Sequence, residues 1–179
     1  MVDSARKPLA KAPAAPAGPP QPVGVLQQRR IEAAVIKPLV KAFEAELGRE
    51  KTLAVLERVI KELARERGRQ MAAEAPSTTL TGFASMKEPW TRDNALELDV
   101  LETGDERYAY NVTRCRYAEM YRELGLADLG FTLSCNRDAT LIEGFNPELE
   151  LTRTQTIMQG APHCDFRYTR RSRPTAKSK

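Results

Sequence analysis

Histidine, cysteine and tryptophan are scarce in this chain, which has 1 His, 3 Cys and 1 Trp among 179 residues. An odd number of cysteines without a CxxC pair does not indicate a disulfide framework. The N-terminus lacks the apolar segment of a signal peptide, and no apolar run approaches the roughly 20 residues that span a bilayer. We therefore expect a cytoplasmic protein with reduced thiols and no membrane partner.

Both ends of the chain are poor in large apolar residues. Residues 1–22 are mostly Ala, Pro, Lys and Gly, and residues 171–179 are basic, so we expect two disordered tails around one domain over 23–170. Of the net charge of +4, the first 22 residues carry +2 and residues 170–179 carry +5, which leaves −3 on the body. A nucleic-acid-binding domain needs a basic face on its folded part, so we expect no nucleic-acid partner.

Two amphipathic helices are predicted in the first half of the chain. Apolar residues recur at helical spacing over 27–47 and again over 50–73, and Gly48 ends the first helix. The short connection predicts a helical hairpin. The apolar stripe of the first helix consists of Ile31, Val35, Leu39 and Phe43. We interpret it as part of the domain's own core rather than as a partner-binding surface.

The second half changes to a period of two. One short helix is expected within 77–93, ended by Pro89. Alternating apolar residues on either side of a turn at 103–105 then predict a β-hairpin. A helix is predicted over 115–124, and a short helix or strand over 129–142.

A second hairpin is predicted from Leu149–Met158 and His163–Tyr168, with Met158 opposite His163. Gly144 and Pro147 bracket a turn before it. The whole pattern predicts an α+β fold, with an N-terminal helical hairpin and a small antiparallel sheet of two hairpins. The helices are expected largely on one face of that sheet.

Reactive and polar side chains are concentrated between residues 110 and 168, which include every cysteine and the histidine. Burying such groups costs free energy unless they are paired or used, so this segment indicates a catalytic small-molecule site. The candidate catalytic residues are Cys115, Cys135, Asp138, His163, Cys164 and Asp165. The candidate substrate-binding residues are Asn136, Arg137, Asn146, Arg153 and Gln155.

Strand alternation separates the members of the His163-Cys164-Asp165 tripeptide. Cys164 is expected on one face of the sheet, and His163 and Asp165 on the other, so the tripeptide is not a ready-made Cys–His dyad. Arg153 and Gln155 are predicted on the Cys164 face. The anionic partner of Arg153 is left open between a substrate carboxylate and a protein carboxylate, for which Glu143 and Glu119 are candidates.

The thiols allow two interpretations. Cys115 lies at a predicted helix N-terminus, where amides and nearby cations lower a thiol pKa, although a free cysteine is more often buried and structural. A metal site is the alternative, because three Cys and one His supply the ligand count for zinc. Its ligands would be Cys115, Cys135, His163 and Cys164. The spacing favours no cofactor.

The runs TRCRYAEMYRELG, SCNRDATLIEGFNPELELTRTQTIMQG and HCDFRY resemble the L-2-amino-thiazoline-4-carboxylic acid hydrolase family. The resemblance covers roughly residues 28–168. It implies a hydrolase that acts on C–N bonds of cyclic amidines and opens the ring to an N-carbamoyl amino acid such as N-carbamoyl-L-cysteine. It also implies importance for Cys115, Cys135, Asp138, Asn146, Arg153, Cys164 and Asp165.

Two mechanisms are compatible with these residues. A thiolate, with Cys164 favoured, attacks the amidine carbon, or Asp138 or Asp165 activates a water molecule. Arg153 or Arg137 would bind the substrate carboxylate. Asn136, Asn146 or Gln155 would hydrogen-bond the ring nitrogen.

The alternative function is a non-catalytic regulatory domain that uses the cysteines to bind a small molecule or a metal. The expected partner is a small molecule in either case, and a homo-oligomer is possible.

Overall fold

A computed structural model describes residues 23–171. The predicted tails over 1–22 and 171–179 lie outside the described residues, apart from Arg171. Helix α1 spans Val25–Leu47 and helix α2 spans Arg49–Glu74. Gly48 joins them with a φ of 79°, a conformation that glycine adopts without steric cost. The helical hairpin is thus confirmed.

The buried face of α1 differs from the one predicted. Ala33 and Val40 are buried, whereas Ile31, Val35, Leu39 and Phe43 are 49–59% exposed. The interpretation of that stripe as core is therefore wrong. The body of the protein packs against a neighbouring side of the helix, where Leu26 and Ile36 join Ala33 and Val40 in the core.

Between the helical hairpin and the sheet the chain forms short helical segments. Helix α3 spans Leu80–Ser85 and α4 spans Glu88–Thr91, followed by a 3-10 turn over Arg92–Asn94. The prediction of one helix ended by Pro89 is wrong. Pro89 lies in the first turn of α4, where its missing N–H costs no helical hydrogen bond.

A four-stranded antiparallel sheet has the order β1-β2-β4-β3, which confirms the α+β class. Strands β1, Leu96–Thr103, and β2, Arg107–Cys115, form the predicted first hairpin. Strand β3 spans Leu149–Thr152 and β4 spans Cys164–Arg170.

The second hairpin is shorter than predicted. Strand β3 ends at Thr152, and the connection to β4 contains a 3-10 turn over Ile157–Gln159. Leu151 lies opposite Tyr168, where Arg153 was expected, so the register differs by two residues. A shift of two keeps the paired residues of β3 on their predicted faces. Cys164, Phe166 and Tyr168 accordingly share one buried face. Gln155 lies beyond the end of β3, and its side chain contacts His163 instead of facing Cys164, so its predicted position is wrong.

The segment between β2 and β3 contains helices joined by short turns. Helix α5 spans Arg116–Glu123, α6 spans Ala127–Gly130, a π-helical turn covers Phe131–Cys135, and α7 spans Arg137–Phe145. This arrangement replaces the single short helix or strand expected over 129–142, and it places Gly144 inside α7 instead of at a turn.

Two glycines bring α7 against α2. A Cβ atom on Gly144 would lie 2.1 Å from the carbonyl oxygen of Arg65, and one on Gly68 would lie 2.1 Å from that of Leu141. Side chains of α2 and α7, Met71, Ile142 and Phe145 among them, form one core cluster with aromatic residues of the sheet. The helices therefore cover what is called here the inner face of the sheet, the face of Val112, Cys164 and Phe166.

Among the described residues no helix has both the length and the apolar character of a membrane span.

Candidate functional site

A cavity of about 100 Å³, called here the central cavity, lies between the inner face of the sheet and the helices. For scale, a buried cavity of about 150 Å³ binds benzene. The central cavity is lined by residues of helices α1, α2, α4, α5 and α7, of the π-helical turn, of strands β1, β2 and β4, and of the segment after β3. They are Val25, Arg29, Ala64, Arg67, Trp90, Leu96, Val112, Cys115, Tyr117, Ser134, Cys135, Arg137, Asp138, Leu141, Arg153, Cys164 and Phe166. The wall is apolar, with charged groups and thiols at a few positions.

Two further spaces adjoin the central cavity through shared lining residues. The inner chamber, of about 70 Å³, shares Asp138 and Phe166 with it. The outer groove, of about 600 Å³, shares Arg29, Arg67 and Arg137. A ligand in the central cavity would thus have a carboxylate at its inner end and arginines at its outer end.

Asp138 and Arg153 form an ion pair in the wall of the central cavity. Asp138 is in the first turn of α7, and Arg153 directly follows β3. The guanidinium Nη1 of Arg153 donates to the Asp138 carboxylate, and Nη2 donates to the Cys135 carbonyl oxygen at 2.9 Å. The guanidinium also lies over the Phe166 ring, 5.0 Å from its centroid. The Arg153 side chain is thereby fixed by three contacts.

The partner of Arg153 differs from both predicted carboxylates. Glu143 pairs with Arg65 at 3.1 Å, and Glu119 pairs with Arg114 at 2.9 Å. Asp138, which lies 15 residues before Arg153, takes that place.

Burial raises the pKa of the Asp138 carboxyl above its ordinary value, and the positive charge of Arg153 only partly opposes this effect. The side chain keeps 30% of its surface accessible where the central cavity and the inner chamber meet. A carboxylate that faces a cavity and has a raised pKa can accept a proton from a bound water molecule.

Arginines dominate the outer end of the central cavity. Arg137 and Arg29 share one carboxylate, Glu32, at 3.6 Å and 2.7 Å. Burial and the nearby charge of Arg29 lower the pKa of Arg137 to about 10, so that it remains protonated at neutral pH. Two cations against one anion favour an anionic ligand group here.

All three cysteines line the central cavity as thiols. Burial raises the pKa of Cys115 to about 11, and burial also raises the pKa of Cys135 and of Cys164. Cys115 does lie at the N-terminus of a helix, as predicted, but burial outweighs the amides of Ala118 and Tyr117. The expected lowering of its pKa is therefore wrong.

Asp165 and His163 lie on the outer face of the sheet. Asp165 accepts hydrogen bonds from the backbone N–H groups of Thr154 and Gln155 at 3.0 Å and 2.9 Å. Partial burial opposes these bonds, but they lower the pKa of Asp165 below its ordinary value. His163 Nε2 and the side-chain amide of Gln155 are 2.8 Å apart. The separation of the tripeptide across two faces is confirmed, because Cys164 Sγ accepts from the Ile157 N–H at 3.2 Å on the inner side.

The predicted amide residues also lie apart from the central cavity. Asn146 follows α7, donates to the Thr78 carbonyl oxygen at 2.9 Å and accepts from the Glu148 N–H at 2.9 Å. Asn136 is half-buried and directly precedes α7. Neither lines the central cavity, the inner chamber or the outer groove, and neither does Gln155.

The proposed metal ligands are not gathered in one place. Within residues 23–171 no group of three or more His, Cys, Asp or Glu side chains is arranged to hold a metal ion. His163 lies on the outer face, away from the three thiols.

Sequence reasoning missed the contribution of α1 and α4. Arg29 and Glu32 come from α1, and Trp90 from α4 lines all three spaces. The sequence carries no clear signal for Arg29, because the burial of Ala33, four residues further along the same face of α1, is known only from the structure.

Comparisons with known proteins agree with the fold. No curated protein matches the chain. A solved structure, the phenol-responsive sensory domain of the transcription activator PoxR with phenol, is similar at 11% identity and a TM-score of 0.51. The match covers 77% of this chain and 74% of that one. The model of the L-2-amino-thiazoline-4-carboxylic acid hydrolase family matches residues 28–168, so the chain belongs to that family.

Proposed function

We propose that the chain hydrolyses a small cyclic amidine that carries a carboxylate, such as L-2-amino-thiazoline-4-carboxylic acid, in the central cavity. Family membership supports the substrate class. The observation that carries the proposal is the polarity of the cavity, with the Asp138 carboxylate at its inner end and Arg29 and Arg137 at its outer end. An amidine end that donates N–H groups and a carboxylate end match these two poles.

Arg137 is the better candidate for the substrate carboxylate. Arg153 is already engaged by Asp138, the Cys135 carbonyl and the Phe166 ring. Arg137 donates through Nε to the Leu133 carbonyl oxygen at 2.8 Å, and its Nη2 is 3.6 Å from the shared Glu32. Its outer guanidinium edge is thus held in place with donor capacity for a ligand oxygen. Arg153 is assigned the role of positioning Asp138.

The chemistry proposed for Asp138 is general base catalysis. A water oxygen bonds to the amidine carbon while Asp138 accepts the water proton. The carbon–sulfur bond then breaks, the electron pair leaves with sulfur, and Asp138 returns the first water proton to it. The second water proton moves from the new hydroxyl group to the ring nitrogen, which completes the N-carbamoyl group. An N-carbamoyl product keeps both nitrogens of the amidine, so a thiazoline opens at its C–S bond and not at the C–N bond expected from the resemblance.

The state of the thiols favours water over thiolate attack. In the structure the Cys164 Sγ accepts a hydrogen bond from the Ile157 N–H at 3.2 Å. With a raised pKa it stays protonated at neutral pH, and a protonated thiol is a weak nucleophile. Cys115 and Cys135 have the same limitation.

The test is turnover of L-2-amino-thiazoline-4-carboxylic acid by the full chain, followed by mass spectrometry of the product and titration of the released thiol. We expect one thiol and one N-carbamoyl product for each substrate consumed. Cys164→Ser should keep its turnover rate within about threefold, because in this mechanism the side chain at position 164 forms part of the cavity wall and does not react. A loss of about a hundredfold in Cys164→Ser, with Cys135→Ser unchanged, would instead establish thiolate attack.

A ligand-binding regulatory domain is the second candidate. The inner chamber favours it, because its wall is mostly apolar and aromatic, with Phe83, Trp90, Tyr110 and Tyr168 among its residues. The similar solved structure is itself a phenol-responsive sensory domain. The same assay separates the two functions: a sensor would bind the ligand and release it chemically unchanged, as seen by calorimetry together with mass spectrometry.

A further inference from the structure

The helical hairpin carries an exposed apolar surface, called here the hairpin face. Its members are large apolar residues of α1 and α2 that are 39–59% exposed. They are Ile31, Val35, Leu39, Phe43, Leu47, Val55, Val59 and Leu63. Large apolar residues are exposed elsewhere in the described chain only at Val23, Val100 and Leu101. A large exposed apolar patch on a protein surface commonly marks a site of interaction with another molecule.

The hairpin face has the geometry of a helix-packing surface. Its residues recur every fourth position on both helices and so form ridges of the kind that pack into the grooves of another helix. Between the ridges lies an apolar groove of about 280 Å³, with Leu39 and Phe43 on one side and Val55 and Val59 on the other.

We infer that the hairpin face binds the hairpin face of a second copy of this chain. The α1 ridge is symmetric about Leu39, with two residues of the ridge on each side. A two-fold axis at Leu39 therefore places Leu39 against its own copy and Val35 against Phe43 of the other chain, as an isologous interface requires.

The size of the surface agrees with a dimer. From their exposed fractions, the eight residues present on the order of 800 Å², which is about the area that each partner contributes to a stable interface of standard size. Two ion pairs near the groove are made within the chain, Arg49 with Glu44 at 2.7 Å and Arg58 with Glu62 at 3.6 Å. Two copies can approach without leaving these charges unpaired.

The dimer would lie beside the entrance to the candidate site. Leu63 belongs to the hairpin face and also lines the outer groove, next to Arg67. The second copy would thus narrow the outer groove from the α2 side, although the inference about the dimer does not depend on the proposed reaction.

The first test is the mass of the full chain in solution by light scattering or sedimentation equilibrium. We expect twice the 20.0 kDa of one chain. Leu39→Asp should weaken association at least a hundredfold and give monomers with unchanged circular dichroism. Leu101→Asp, at an equally exposed apolar site on β1, should remain dimeric. A monomeric wild type, or a dimeric Leu39→Asp, overturns the inference and leaves the face to a different partner.

The second test is cross-linking at the axis. Leu39→Cys should form an intermolecular disulfide with its own copy under mild oxidation, since the axis places the two residues in contact. Leu101→Cys is the matched control, and the wild-type chain with its three cysteines gives the background. Cross-linking of Leu101→Cys as fast as Leu39→Cys would show chance collisions and would contradict the two-fold arrangement.

Discussion

The inner and outer faces of the sheet use the same residue types in opposite ways. On the inner side, burial raises the pKa of Asp138, whose carboxylate faces a cavity beside Arg153. On the outer face, hydrogen bonds from Thr154 and Gln155 lower the pKa of Asp165. Asp138 and Asp165 were both candidates for the base in the sequence analysis. Their pKa values shift in opposite directions because Asp138 lies on the inner side of the sheet and Asp165 on its outer face.

The two arginines of these faces differ in the same way. Arg153, 10% exposed, neutralises a carboxylate beside the cavity. Arg167 donates to the Tyr110 carbonyl oxygen and to Asn111 Oδ1 at 2.9 Å and 2.8 Å, and so ties neighbouring strands together. Arg153 therefore compensates the charge of a carboxylate, whereas Arg167 connects two strands through hydrogen bonds to a carbonyl oxygen and a side-chain amide oxygen.

Removing the inner arginine should have the largest effect on stability. Arg153→Met leaves Asp138 without its counter-charge in a largely dry wall, and we expect a loss of about 3 kcal/mol in the free energy of unfolding. Arg167→Met on the outer face should cost about 1 kcal/mol, because it removes hydrogen bonds to neutral groups. Urea denaturation of both variants measures the difference.

A second variant distinguishes charge from packing. Asp138→Asn in the Arg153→Met background removes the uncompensated carboxylate, and it should recover part of the lost stability. Equal losses in Arg153→Met and Arg167→Met would show that the two faces do not differ in the way described.

The second-largest loss of stability is expected at alkaline pH, from a thiol on the inner side of the sheet. The Cys115 thiol ionises near pH 9 in the unfolded chain, and burial raises its folded pKa to about 11. The folded state therefore holds the proton more tightly, and its stability is complete below pH 9 and is lost between pH 9 and pH 11. We expect this thiol to account for about 2 kcal/mol of that loss.

The measurement is thermal unfolding from pH 8 to pH 11 for the wild type and for Cys115→Ala. Other groups titrate in this range, so the difference between the two slopes reports the thiol alone. Parallel slopes would mean that Cys115 is not protected from solvent as its position in the cavity wall requires.

Substrate affinity should depend on Arg137, at the outer end of the central cavity. If Arg137 binds the substrate carboxylate, Arg137→Gln should raise KM about tenfold, equivalent to about 1.4 kcal/mol, with little change in kcat. Arg58→Gln is the control. Arg58 is an exposed residue of α2, and its ion pair with Glu62 is long, at 3.6 Å, and therefore weak. A fall in kcat with unchanged KM would show that Arg137 acts in the chemical step and not in substrate binding.

Periodicity predicted the elements whose contacts are local. The helical hairpin and the first β-hairpin follow from spacings of four and two, and both are present. The α1 stripe shows the limit of such reasoning. Four-residue spacing identifies an apolar face but does not say whether this chain or another copy covers it, and here the smaller Ala33 and Val40 face the core.

The site was predicted only in part, because its groups are distant in sequence. The three thiols, Arg137, Asp138 and Arg153 do line one cavity. The pairing of Arg153 with Asp138 depends on where β3 ends, and the place of Arg29 depends on how α1 packs. Helix α7 was predicted only as a short helix or strand over 129–142, because its close approach to α2 through Gly68 and Gly144 is a tertiary feature.

The contrast between the two aspartates gives the most direct test of the central claim, that the cavity carboxylate acts as the base. Asp138→Asn and Asp165→Asn are compared for turnover of L-2-amino-thiazoline-4-carboxylic acid, with thermal unfolding to show that both fold. We expect Asp138→Asn to lose at least about a hundredfold in kcat, about 2.7 kcal/mol, and Asp165→Asn to stay within about threefold. Full activity in a folded Asp138→Asn, or a loss confined to Asp165→Asn, would contradict the account.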